Sequence, residues 1–209
     1  MKKILVADDH AAIRKGVKLI LNSEFSEVEF GEASNAAEIF KALHEKNWDI
    51  LILDMDMPGR NGLEVLKQLK NENSKVPVLV FSMHPEEQIA VRAIKSGAQG
   101  YLSKDSASEE LGKAVQHILS GKKYITPTLA EQLANAVGNP SDKAPHELLS
   151  DREYQTLLLI ASGKTISQIA EELSLSVPTV STYRARILEK MNLKNSSELT
   201  HYTISNGLI

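Results

Sequence analysis

Cysteine is absent from this 209-residue sequence. With no thiol there is no disulfide frame, no sulfur nucleophile and no Cys-ligated zinc site. A strong charge imbalance is missing as well. The 24 Lys and Arg against 27 Asp and Glu leave a net charge of -3, which supplies no global pull toward nucleic acid or an acidic membrane. No apolar run is long enough to span a bilayer. The start Met1-Lys2-Lys3 has the basic character of a signal peptide, but Asp8, Asp9 and His10 end the following apolar run too early for a signal core. Internal repeats and low-complexity tracts are also lacking. These absences set the expectation of a cytoplasmic protein with no membrane partner. Hydrophobic residues make up 42% of the chain, enough for a real core, and the length suits one large domain or two modest ones.

What is present is a set of polar residues placed just after apolar runs. Asp8-Asp9 follow Ile4-Leu5-Val6-Ala7, Asp54 follows Ile50-Leu51-Ile52-Leu53, and Lys104 comes shortly after Tyr101-Leu102. If those runs are parallel strands, their carboxyl ends share the sheet edge at which open α/β folds bind ligands. Asp8, Asp9 and Asp54 gathered there repel one another, and a hard, oxygen-loving cation such as Mg2+ relieves that repulsion. Lys104 is placed to neutralise an incoming phosphoryl group, and Ser82, at the end of Val78-Leu79-Val80-Phe81, to hydrogen-bond one of its oxygens. Such a pocket is suited to phosphorylation of an aspartate. The plainer reading of Asp8-Asp9 is an N-cap for a helix starting at Ala11-Ala12-Ile13, with Ser82 and Lys104 as ordinary loop residues.

Short β-branched or leucine-rich runs alternate with helical patterns through the first part of the chain, which predicts βα repeats and a doubly wound parallel sheet of five strands. Strands are expected near 4–7, 27–30, 50–53, 78–82 and 100–102, with helices near 11–22, 36–45, 62–71, 86–96 and 108–120. The second strand alternates polar and apolar residues and belongs at an edge, whereas the third is apolar throughout and belongs in the centre. Gly97 and Gly121 follow two of the helices as C-terminal caps do. Residues 1–121 then form the first domain, and 122–147 a linker. That linker carries a short helix over 129–137 and a turn-rich stretch, Gly138-Asn139-Pro140-Ser141-Asp142-Lys143-Ala144-Pro145.

A second, all-α domain is expected over 148–209. Ser150 and Glu153 form a capping box that opens a helix, and Gly163 closes it. A helix over 167–173, a turn at Ser174-Leu175-Ser176, a helix over 177–191 and a last helix from about Ser196 complete a helix-turn-helix pattern. On 177–191, Val180, Ile187 and Met191 form the apolar stripe with Tyr183 at its margin. Ser181, Thr182, Ala185 and Arg186 share the opposite face, and Arg184 and Lys190 lie on the flanks. Short hydroxyls and an arginine suit base edges and phosphates in a major groove. Within this domain Arg152, Lys164, Arg184, Arg186, Lys190 and Lys194 balance Asp151, Glu153, Glu171, Glu172, Glu189 and Glu198. A neutral domain attracts DNA weakly, so a partner subunit is expected to be needed for binding.

Taken over nearly its whole length, the chain resembles a two-component response regulator of the NarL/FixJ type. The first half resembles a receiver through Asp8-Asp9-His10, Asp54-Met55-Asp56-Met57-Pro58-Gly59, Asn61-Gly62, Ser82-Met83-His84 and Gly100-Tyr101-Leu102-Ser103-Lys104-Asp105. The second half resembles a LuxR-type helix-turn-helix through Leu149-Ser150-Asp151-Arg152-Glu153, Ser167-Gln168-Ile169-Ala170 and Thr179-Val180-Ser181-Thr182-Tyr183. The resemblance implies a flavodoxin-like strand order 2-1-3-4-5 and Asp54 as acceptor of phosphate from a sensor histidine kinase. It also implies Mg2+ held by Asp8, Asp9, Asp54 and the backbone carbonyl of Asp56, with Asp8 acting directly or through water. Ser82 and Tyr101 take the places of the family's switch pair. The implied output is a homodimer, formed on phosphorylation, that binds double-stranded promoter DNA, with RNA polymerase as a further partner; the protein is then a regulator and not an enzyme. Ser181, Tyr183 and Asp105 depart from the residues most common in the family.

Two other readings compete. Asp54-Met55-Asp56 after an apolar strand also resembles the motif of haloacid-dehalogenase-type phosphatases, although there the motif usually sits on the first strand. Alternatively the chain is a constitutive DNA-binding protein whose receiver only dimerises.

Overall fold

The alternation of short buried runs and amphipathic ones is realised as an α/β layer structure followed by a helical one. The computed structural model of the chain describes residues 1–135 and 144–209, which divide into two compact units, Met1–Leu133 and Ala134–Ile209. In the first unit the strands are β1 (Lys2–Ala7), β2 (Val28–Ala33), β3 (Ile50–Leu53), β4 (Val78–Ser82) and β5 (Gly100–Ser103). The helices are α1 (Ala11–Glu24), α2 (Ala36–Glu45), α3 (Gly62–Asn71), α4 (Glu86–Ser96), α5 (Ala107–Leu119) and α6 (Pro127–Asn135). All strand pairs are parallel, in the order β2-β1-β3-β4-β5. This is the doubly wound sheet that the sequence predicts.

Period-two alternation sorts the strand side chains onto two faces. Leu5, Leu51, Leu53, Val80 and Tyr101 pack with α2, α3 and α4, while Ile4, Val6, Ile52, Leu79 and Phe81 pack with α1 and α5. All four residues of β3 are buried, as suits a central strand, and β2 is only half-buried at its edge. β2 runs to Ala33, three residues past the expected end. Its Gly31 lies against Trp48, whose ring occupies the space a Cβ would need. Gly97 closes α4 in the left-handed conformation, φ 119°.

Helix α6 begins at Pro127, and its Leu129 is fully buried in the first unit's core. Residues 122–133 therefore pack with the sheet they were expected to leave. The expected continuation of this helix to Val137, and the turn-rich stretch over 138–143, lie outside the described residues.

The second unit contains α7 (Asp151–Ala161), α8 (Ile166–Glu172), α9 (Val177–Met191) and α10 (Ser196–Ser205), preceded by a 3-10 turn at Pro145–Leu148. The capping box of Ser150 with Glu153 is present, and a second one joins Thr165 to Gln168 at the start of α8. Nine of the eleven residues of α7 are buried, which makes it the central helix against which α9 and α10 pack. Among the described residues no helix is long and apolar enough to cross a membrane.

Candidate functional site

Strand register gathers the polar residues. Ala7 pairs with Leu53, and the Asp54 N–H donates to the Ala7 carbonyl at 2.8 Å, so Asp8 and Asp54 leave neighbouring strands at one level. On the other side Ser82 pairs with Ser103, and Lys104 follows directly. Lys104 Nζ lies 2.7 Å from Asp8 Oδ2 and 3.0 Å from Asp54 Oδ1, with its side chain 7% exposed and each carboxylate 3%. The ammonium also stands 5.9 Å from the centre of the Phe81 ring. Asp8, Asp54 and Lys104 thus form one buried charged group.

The Asp8 carboxylate does not cap α1. The N-cap is His10, with no side-chain cap, and Asp8 Oδ1 instead accepts the His10 N–H at 2.8 Å. Asp9 is partly exposed, and His10 Nδ1 lies 2.7 Å from its Oδ1. Arg14 on α1 donates to the Asp8 carbonyl at 2.6 Å and to Glu32 at 2.7 Å, bracing the loop from beneath.

Electrostatics at Asp54 are dominated by burial, which pushes its carboxyl up to about 6; Lys104 opposes this and Asp8 adds to it. Burial draws the Lys104 ammonium down, but Asp54 and Asp8 outweigh it and leave the group above its ordinary value. One lysine is shared between two buried carboxylates, with Asp9 alongside, so negative charge is in excess.

The chemistry of this donor set fits a hard divalent cation. Asp8 Oδ2 is buried without a well-formed hydrogen bond, facing the Lys104 ammonium. The ligating atoms of Asp8, Asp9 and His10 all lie within 4.8 Å of one another. Asp54 stands outside that compact group, its Oδ1 taken by Lys104 and by the Met55 N–H at 2.8 Å. The Asp56 side chain is turned to His84, whose Nε2 lies 3.0 Å away.

The loop after Asp54 is fixed by Asn61 and Gly62. Asn61 is buried and caps α3 in a capping box with Glu64. A Cβ on Gly62 would fall 2.8 Å from the Asp54 carbonyl oxygen and 2.9 Å from Met55 Cα, so only glycine allows α3 to approach the Asp54 backbone.

Ser82 and Tyr101 are both fully buried. Burial pushes the Tyr101 phenol well above its ordinary value, opposed by a hydrogen bond from Ser82. Tyr101 already faces inward, its hydroxyl donating to the His84 carbonyl at 2.6 Å, while the His84 N–H donates to Ser82 Oγ at 3.2 Å. His84 therefore joins Asp56, Ser82 and Tyr101. The sequence placed it within the Ser82-Met83-His84 motif without giving it a role.

In the second unit Val180, Ile187 and Met191 are buried, and Ser181, Thr182, Ala185 and Arg186 are exposed together on the outer face of α9. The flanking cations are engaged. Arg184 Nε donates to Ser196 Oγ at 2.9 Å, and Lys190 Nζ donates to the buried Glu153 at 2.6 Å. Sequence periodicity found the outer face but not the Lys190–Glu153 pair, which joins residues 37 positions apart.

Comparison with known proteins agrees with both units. Residues 4–116 match the response regulator receiver domain, and residues 147–203 match the bacterial regulatory proteins of the luxR family. The chain is 34% identical over 209 residues to response regulator UvrY of Escherichia coli (strain K12), covering 100% of this chain and 96% of that one. It is 34% identical over 215 residues to the oxygen regulatory protein NreC of Staphylococcus epidermidis (strain ATCC 12228 / FDA PCI 1200), covering 99% of each. RcsB of Salmonella enterica serovar Typhimurium, solved bound to promoter rprA with phosphomimetic BeF3-, has a similar fold, with a TM-score of 0.65 at 23% identity over 98% of this chain and 100% of that one.

Proposed function

This chain belongs to the two-component response regulators of the NarL/FixJ type, DNA-binding regulators with a receiver and a LuxR-type helix-turn-helix, and from that premise we propose that Asp54 is its phosphoryl acceptor. The observation that carries the proposal is the buried Lys104 ammonium bridging Asp8 and Asp54. The phosphoryl donor is a sensor histidine kinase: the P–N bond to the kinase imidazole breaks as a P–O bond to an Asp54 oxygen forms, and the imidazole takes a proton. Asp54 is the nucleophile in its carboxylate form, which predominates above about pH 6 in the metal-free pocket.

Mg2+ would be held by Asp8, Asp9, Asp54 and the Asp56 carbonyl, and its charge would offset that of the phosphoryl group and the carboxylates. Lys104 supplies a fixed positive charge beside the attacking oxygen and needs no reorganisation at the moment of transfer. Ser82 donates its hydroxyl to the new phosphoryl oxygens, and Tyr101 packs behind it. Burial of these groups keeps bulk water from the acyl phosphate.

Phosphorylation promotes a homodimer that sets two α9 helices against promoter DNA, with RNA polymerase as a further partner. Ser181, Thr182, Ala185 and Arg186 read the groove, and Arg184 and Lys190, on its flanks, hold α9 at its angle through Ser196 and Glu153. The pocket's set of charged groups favours this over a constitutive regulator, because a purely dimerising receiver gains nothing from carboxylates held at mutual repulsion. With the family assigned, the phosphatase reading has no support of its own.

The decisive experiment is treatment with acetyl phosphate and Mg2+ followed by intact mass measurement. The chain is expected to gain one phosphoryl group and Asp54→Asn none. A phosphoryl group on the Asp54→Asn chain refutes the assignment.

A further inference from the structure

β5 ends the sheet, and an unpaired outer edge there would expose its backbone groups. Tyr124 takes that edge. Its N–H donates to the Gln99 carbonyl at 2.9 Å, and it forms a parallel bridge with Gly100. A Cβ on Gly100 would lie 2.9 Å from Tyr124 Cβ, so glycine admits the segment. The Tyr124 hydroxyl donates to Glu110 on α5 at 2.7 Å.

Two residues on, the Thr126 side chain makes two hydrogen bonds. Its hydroxyl donates to Glu86, the first residue of α4, at 2.5 Å, and accepts the Leu129 N–H at 3.1 Å, which caps α6. Leu129 is fully buried with Ile89, Ala90, Ala93 and Tyr101, and Ile125 and Leu133 pack against that cluster. Residues 124–133 thus strap β5, α4 and α5 together at the point where the chain leaves the first unit.

The strap grips groups that the pocket controls. Glu86 lies four residues after Ser82, and between them His84 binds Ser82 through its N–H and Tyr101 through its carbonyl. A Ser82 hydroxyl drawn to a phosphoryl group on Asp54 would give up the His84 N–H it accepts, and a shift of residues 83–86 that followed would bear on the Glu86–Thr126 bond.

We propose that residues 124–133 are a phosphorylation-sensitive strap, seated while Asp54 is free and loosened once it is phosphorylated. This rests on the Asp54 reading above. Coupling is reciprocal, so a strap loosened by mutation must also loosen residues 83–89.

Hydrogen exchange of the full-length chain, followed by mass spectrometry, tests both directions. On acetyl phosphate treatment with Mg2+, peptides covering 122–133 are expected to exchange about fivefold faster, as loss of one hydrogen bond predicts. Unchanged exchange in a chain that has gained a phosphoryl group overturns the proposal. A chain that gains none overturns the Asp54 reading and the phosphate's part in this one. Independently of phosphate, Thr126→Val and Glu86→Ala are each expected to speed exchange over 83–89 in the untreated chain. Thr126→Ser, which keeps both hydrogen bonds, is expected to leave it slow. Glu86→Ala leaves the α6 cap intact, so a shared effect cannot come from α6 unfolding. No change over 83–89 in either variant overturns the strap.

Discussion

Asp54 in the first unit and Glu153 in the second are each 3% exposed, and each meets a lysine, Lys104 at 3.0 Å and Lys190 at 2.6 Å. Their environments drive them in opposite directions. Burial raises both, but at Asp54 it prevails and lifts the group to about 6. At Glu153 it is outweighed by Lys190 and by hydrogen bonds from Ser150, and the group ends below its ordinary value. The lysines explain the difference. Lys104 is itself buried and shared with Asp8, whereas Lys190 is 41% exposed and pairs with Glu153. A buried carboxylate short of partners is poised for a cation or a phosphoryl group, and one fully supplied is a structural tie.

The surroundings of Asp54 are most sensitive to the backbone packed against it. Gly62→Ala would force a Cβ against the Asp54 and Met55 backbone, and a cost of about 3 kcal/mol is expected in the first unit alone. Trp48, the only tryptophan, lies in that unit, so its fluorescence reads the loss. An unshifted tryptophan transition would mean that α3 can move away.

Lys190→Ala strands Glu153. About 2 kcal/mol is expected to be lost from the second unit, less than for a fully buried pair because the lysine head is hydrated. Circular dichroism melts should show the loss with the tryptophan transition unchanged. DNA affinity should fall only as far as folding does, with the salt slope kept. A salt slope reduced by about one unit in a stably folded variant would instead make Lys190 a phosphate contact.

Acidification moves the two carboxylates in opposite directions. Asp54 lies above its unfolded value of about 3.9, so its stabilising contribution is present at low pH and is lost as pH rises through about 6. Between pH 7.5 and 5 the metal-free first unit should gain on the order of 1–2 kcal/mol, and this gain should vanish in Asp54→Asn. Glu153 lies below its unfolded value, so its contribution is present above that value and is lost as pH falls through the folded one. The second unit should therefore weaken only in more acidic solution. A tryptophan transition indifferent to pH between 7.5 and 5 would show that Asp54 is not strained.

The smallest effect is expected on the outer face of α9. Arg186→Ala should cost about 1 kcal/mol of discrimination between specific and random DNA while leaving both units stable. Competition binding at several salt concentrations measures it, and an unchanged specificity ratio would move base reading to another face.

Much of this was legible in the sequence because local patterns carry it. Four apolar residues before Asp54 make a central strand whatever surrounds them, and Ser150 with Glu153 caps a helix by spacing alone. The end of the first unit was less legible. Residues 122–133 read as linker because Lys122, Lys123 and Pro127 look like one, yet Tyr124 and Leu129 find an open edge and an apolar face made by residues far away. Asp8-Asp9 taken alone reads as a cap for α1, and what turns the reading toward a pocket is the set of strand ends it shares with Asp54, Ser82 and Lys104, the last nearly a hundred positions later.

Hydrophobic period and turn chemistry act over a few residues, and they suffice to set which segments become strands and helices, their order, and the placing of Asp8, Asp9, Asp54, Ser82 and Lys104 at or just past strand ends. How those charges share their partners depends on the folded arrangement of distant segments. That sharing made Lys104 common to two carboxylates, gave Glu153 a lysine of its own, let His84 join Asp56 to Tyr101, and laid Tyr124 along β5. Charge balance and burial depend on which groups meet across the chain, and register and packing settle those meetings.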